Sequence, residues 1–193
     1  MLKSGGVLAY MPPTSGLSLH RTVANRVFPL PETPQLTGVA DQVVTRLAPL
    51  LTSVVRVEEP LAEYRLHDTN SYVRSALSAQ SILREITICH HLWFAQRDFL
   101  FTISPDLVRE LQPVEKSSYL IYLEYIHARL SRSPESHVSY RRFLADLREQ
   151  HAGRTWFWKY SIYLPAPIFS TVVNVMSRPG VLKEIAARLR GVS

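Results

Sequence analysis

The spacing of apolar and polar positions changes along the chain. Val7-Leu8-Ala9-Tyr10 and Gly16-Leu17-Ser18-Leu19-His20 read as short strand-like runs, separated by Pro12-Pro13, which has no N–H to give a ladder. Phe28-Pro29-Leu30-Pro31-Glu32 reads as extended, because a residue before proline is pushed out of the helical region. From Gly38 to Leu51 the pattern switches. Val39, Val43, Val44, Leu47, Ala48 and Leu51 follow the helical spacing of about 3.6 residues, which predicts a helix with one buried face. Val54-Val55-Arg56-Val57 and Leu61-Ala62-Glu63-Tyr64-Arg65-Leu66 return to a strand pattern around Glu58-Glu59-Pro60. The expectation for residues 1–72 is a mixed α/β sheet unit.

Beyond Asn70 the chain turns helical. Tyr72, Ala76, Ala79, Leu83, Ile86 and Trp93 fall three or four apart as a candidate stripe. Ser104-Pro105-Asp106 is a start signal: a capping residue, a proline at the first helical position and an acid in the first turn. Ser133-Pro134-Glu135 repeats it. Leu120, Leu123, Ile126 and Leu130 make one face, and Val138, Arg141, Leu144, Leu147 and Arg148 another. The expectation for residues 73–193 is therefore an all-helical region.

Residues 156–176 combine Trp156-Phe157-Trp158-Lys159-Tyr160 with a second apolar arm after Pro165-Ala166-Pro167. Each arm would be about 14 Å long as a helix against a hydrocarbon core of about 30 Å, so neither spans a bilayer alone. Two readings remain: aromatics at a membrane interface beside basic residues, or a bent helix pair closing the core.

Composition narrows the class. With 193 residues, 46% apolar and 20% charged, the chain has material for a core and is not a disordered polyelectrolyte. Cys89 is the single cysteine, so no internal disulfide forms, and its expected place is the core. No apolar leader follows Met1-Leu2-Lys3, and the expected location is the cytoplasm, at the inner face of the plasma membrane. The first 72 residues hold six Lys/Arg and six Asp/Glu, so the net charge of +6 arises wholly in residues 73–193. That asymmetry suits an anionic membrane surface. Nucleic acid is the weaker partner, because acids are interspersed and no binding motif is present.

Candidate chemistry is sparse. Asp41 stands two residues before the apolar face of its helix begins, where helix-terminal amides favour an ionised carboxylate that can act as a general base. His67 precedes the polar turn Asp68-Thr69-Asn70, and a neutral imidazole there can reach a metal or phosphate. Gly16, beside Ser15, permits close backbone approach to a ligand. The adjacent His90-His91 pair points to different sides of a helix and makes no metal site.

Taken in order, Pro13-Thr14-Ser15-Gly16-Leu17-Ser18-Leu19-His20-Arg21, Phe28-Pro29-Leu30-Pro31-Glu32, Ala40-Asp41-Gln42 and Glu59-Pro60-Leu61-Ala62-Glu63-Tyr64-Arg65-Leu66-His67 resemble the acceptor-side half of a family 2 glycosyltransferase of the GT-A fold. The resemblance covers about residues 5–72 and would make residues 73–193 a helical, basic, membrane-peripheral region. It implies that Ser15 and Gly16 lie in the donor/acceptor loop, that Asp41 is the catalytic base, and that His67 helps hold a divalent metal, Mg or Mn, or the diphosphate. The implied partners are a nucleotide-sugar and a glycan or lipid-linked acceptor. Such enzymes also carry nucleotide-binding βαβ units and an Asp-x-Asp motif, and the 193 residues contain no Asp-x-Asp. The expectation is the C-terminal fragment of an inverting sugar transferase, truncated or completed by a second chain, and inactive alone. The rival expectation is a non-catalytic membrane- or protein-interaction module derived from such an enzyme.

Overall fold

A computed structural model describes residues 16–55, 78–149, 158 and 160–176. Of these, 72% are helical, and no strand occurs among the described residues. The α/β expectation is overturned. Among the described residues, Gly16–His20 has no ladder partner. His20 is extended and caps helix α1 (Arg21–Val27), its Nδ1 lying 2.8 Å from Thr22 Oγ1 and accepting from the Thr22 N–H at 3.4 Å. The alternation that suggested a strand instead lays Leu17 and Leu19, both half-buried, against a helical core. Val54 and Val55 are 62% and 84% exposed, in a segment without ladder partners. Alternation marks one covered face, but a strand also needs a second backbone to bond. The proposed strands Val7–Tyr10 and Leu61–Leu66, and the end of the 54–57 run, lie outside the described residues.

The described residues fall into two compact units. The first contains residues 16–55 and 84–120. Its helix α2 (Ala40–Leu47) forms where the apolar spacing predicted one. Gly38 precedes it with φ +86°, a left-handed conformation that glycine adopts without steric cost. A 3-10 turn (Ala48–Leu50) follows, with Pro49 supplying no N–H to continue the α-helical ladder. Val43, Val44, Leu47 and Ala48 pack with Val23 and Val27 of α1, with Leu36, and with Ile88 and Leu92 of helix α3 (Ala79–Ile103).

Two details of the helical reading need correction. On α3 the buried positions are Ile82, Ile88, Cys89, Leu92, Gln96 and Leu100, whereas Leu83 of the expected stripe is 49% exposed; Tyr72 and Ala76 are outside the described residues. After Ser104, residues Pro105–Glu110 form a 3-10 helix, and the Ser104 side chain makes no capping hydrogen bond. A second 3-10 turn (Val114–Lys116) then leads to helix α4 (Ser118–Leu130).

The second unit contains residues 78–83, 121–149, 158 and 160–176 among those described. Helix α5 (Ser136–Glu149) begins just after Ser133-Pro134-Glu135, and Ser133 Oγ accepts from the Glu135 N–H at 3.2 Å. Its inward residue is Phe143, while Val138 of the expected face is 70% exposed. Tyr125 of α4 forms the centre of an aromatic cluster. Its ring stacks on Phe143 at 5.1 Å and meets Phe169 of helix α6 (Ala166–Met176) edge-on at 5.8 Å. Trp158 closes on Phe143 at 5.2 Å. Within 158–176, then, Trp158, Ile162, Phe169 and Val173 are core, and Tyr160, Tyr163 and Ile168 are surface. Among the described residues, no helix is long and apolar enough to cross a membrane.

Candidate functional site

Asp41 occupies the first turn of α2, with Val39 as the N-cap residue. Val39 has no side-chain acceptor, so the helix's unpaired amides need another partner. Asp41 Oδ1 supplies one, accepting from the Gln42 N–H at 2.9 Å. One turn later, the Thr45 hydroxyl donates to the Asp41 carbonyl at 2.8 Å. The residue is only 7% exposed. The bond to the Gln42 N–H holds the carboxylate in one direction, and a positioned carboxylate can act as a general base.

Burial continues around α2 beyond the single face that spacing predicted. Thr45 and Arg46 are each 5% exposed, beside the expected Val43, Val44 and Leu47. Loss of water pushes the Arg46 guanidinium below its ordinary range, and the acidic groups of Cys89 and Tyr119 pull it back up. The Cys89 thiol is pushed up to about 11, first by burial, against the opposing pull of Arg46. A thiol held protonated is a poor nucleophile, so this buried polar region offers no thiolate chemistry.

Of the residues implied by resemblance, Gly16 and Asp41 are described, and Ser15 and His67 lie outside the described residues. Gly16 is exposed, and no hydrogen bond joins it to Asp41. Among the described residues, no group of three or more His, Cys, Asp or Glu side chains is arranged to hold a metal ion. His90 and His91 are both half-buried and form no such group. His67, the one residue of this chain assigned to a divalent metal by resemblance, lies outside the described residues.

Two arrangements were missed in the sequence. Cys89 and Tyr119 act electrostatically on Arg46 from far along the sequence, and the available signal was a charge falling among the apolar positions of α2. The second is around Arg129. Its Nη2 donates to the Leu164 carbonyl and lies 3.5 Å from that of Ser161, while the guanidinium rests 5.1 Å above the Phe169 ring. No sequence pattern announces a cation that clamps a turn more than thirty residues away. No family model, curated protein or solved structure matches this chain.

Proposed function

We propose that the chain is the acceptor-side part of an inverting sugar transferase, with Asp41 as the base that removes the proton from an acceptor hydroxyl. The acceptor oxygen attacks the sugar's anomeric carbon, the bond to the nucleoside diphosphate breaks, and the proton ends on the Asp41 carboxylate. The observation carrying this reading is the fixed, mostly covered carboxylate at the start of α2, in the Ala40-Asp41-Gln42 position that the ordered motifs single out. The GT-A sheet forms no part of the proposal. Since the 193 residues hold no Asp-x-Asp, diphosphate binding must come from other residues, on the same polypeptide or another. The direct test supplies a family 2 donor-binding segment by fusion or co-expression and assays nucleotide-sugar turnover. Transfer by the combined protein and none by residues 1–193 supports the proposal; transfer by 1–193 alone, or none by a folded combined protein that binds donor, contradicts it.

The second reading is a non-catalytic interaction module. It is favoured by the Asp41–Gln42 hydrogen bond, which gives the carboxylate a structural task at the helix end. On that reading, Asp41→Asn changes stability and leaves any transfer activity untouched.

A further inference from the structure

Within the first unit, Leu92, Gln96 and Leu100 are buried along one side of helix α3. At about 3.6 residues per turn, Phe94, Arg97, Asp98 and Phe101 share the other side, within an arc of about 100°. Both phenylalanines are open to water, Phe94 at 42% and Phe101 at 66% exposure. A helix with large apolar side chains on both sides is normally covered on both, and among the described residues this side lacks a cover. Its side chains are already held in place. Trp93 Nε1 donates to the Gln112 carbonyl at 2.9 Å, and the Phe94 ring meets the fixed indole edge-on, with centroids 5.3 Å apart. The Arg97 guanidinium lies 5.6 Å from the Trp93 centroid and 5.1 Å from that of Phe94. Its Nε and Nη2 both donate to Asp98 Oδ1, at 3.1 and 2.8 Å, and among the described residues Oδ2 takes no bond. Aromatic and arginine side chains ordered before binding lose little freedom when covered, and such residues dominate the energy of protein interfaces.

We propose that this side of α3 is the contact through which two copies of the chain pair, the two helices running antiparallel about a two-fold axis that passes between positions 97 and 98. The order of charges selects a second copy as the occupant. In a two-fold contact each patch meets the same patch turned end for end, so the patch must complement itself. Arg97 and Asp98 are adjacent and opposite in sign, and the axis sets each against the other of the second copy. Phe94 lies three residues before Arg97 and Phe101 three after Asp98, so the same axis lays Phe94 on the second copy's Phe101. The second copy's Arg97 donates to Asp98 Oδ2 while Oδ1 keeps its own arginine, which places a charge network between two aromatic pairs. A purely apolar partner would cover Asp98 without supplying a second cation. A single helix pair is a contact below the standard size, so dimerisation in the micromolar range is expected. The contact is independent of any chemistry at Asp41.

The test is sedimentation velocity of the full chain from about 1 to 200 µM, a range that brackets such an affinity. Expected is a reversible monomer–dimer equilibrium, weakened by about tenfold or more in Phe101→Ser. Two charge variants then read the register. Arg97→Asp sets a second carboxylate against Asp98, and Asp98→Arg a second guanidinium against Arg97, so each variant alone is expected to stay monomeric. Mixed in equal amounts, the two restore both opposite-charge pairs and dimerise. Far-ultraviolet circular dichroism checks that each variant folds, and the charge variants decide the matter if Phe101→Ser does not fold. A chain that is monomeric throughout, including one that pellets with lipid vesicles instead, overturns the proposal. So does a dimer that a folded Phe101→Ser or the charge variants leave intact, or one lost in the charge variants that mixing does not restore.

Discussion

Asp41 and Arg46 are both charged residues of α2, and both are more than nine-tenths covered. Burial makes such side chains sensitive reporters of the fold around them. Cys89, beside Arg46, keeps its proton to about pH 11 against an ordinary value of 9.0, so at pH 8 its thiolate population falls roughly a hundredfold below that of an open thiol. Labelling by a thiol reagent at pH 8 is therefore expected to be slow in the native chain and fast in denaturant; equal rates would contradict the burial. The linkage has a definite sign. A raised thiol contributes its stability fully below the ordinary value of 9.0 and loses it as pH climbs toward 11. Gln96 reports differently. It is fully buried, and among the described residues neither its amide nitrogen nor its oxygen has a hydrogen-bond partner. A buried unsatisfied group costs about 1–3 kcal/mol, so Gln96→Leu is expected to leave the melting temperature unchanged or raise it. A fall of several degrees would show that the amide is satisfied.

At the scale of elements, the second unit depends on aromatic packing around Tyr125. Phe169→Ala removes a fully buried ring that touches both Tyr125 and the Arg129 guanidinium, and should cost about 3–5 kcal/mol in denaturant unfolding. Tyr125→Phe keeps the ring and removes one hydroxyl, leaving Ser161 Oγ its bond to the Trp158 carbonyl, so about 1 kcal/mol is expected. Near-equal losses in the two variants would contradict this ranking. The sequence made α2 and the start of α5 readable because caps, prolines and a local period act within a few residues. Gly16–His20 and Val54-Val55 misled because short alternation is shared by strands and by helix lead-ins that lie on a core. Phe143 escaped because α5 buries one large ring, and its register could not be read without knowing that Tyr125 and Trp158 face it. Asp41 was legible as a candidate from its helix-start position. Arg46, Cys89 and Tyr119 were not legible as a group, since only tertiary packing brings them together.

For the whole molecule, the proposed proton acceptor, Asp41, lies in the first unit, and the aromatic core around Tyr125 lies in the second. The central claim rests on Asp41, and the most direct measurement is the turnover of Asp41→Asn in the protein combined with its donor-binding segment. Asparagine keeps the size and polarity and removes the base. The account predicts that kcat falls by about 10²–10⁴-fold while donor affinity and melting temperature stay close to those of the parent; turnover equal to the parent's in the folded variant would contradict it.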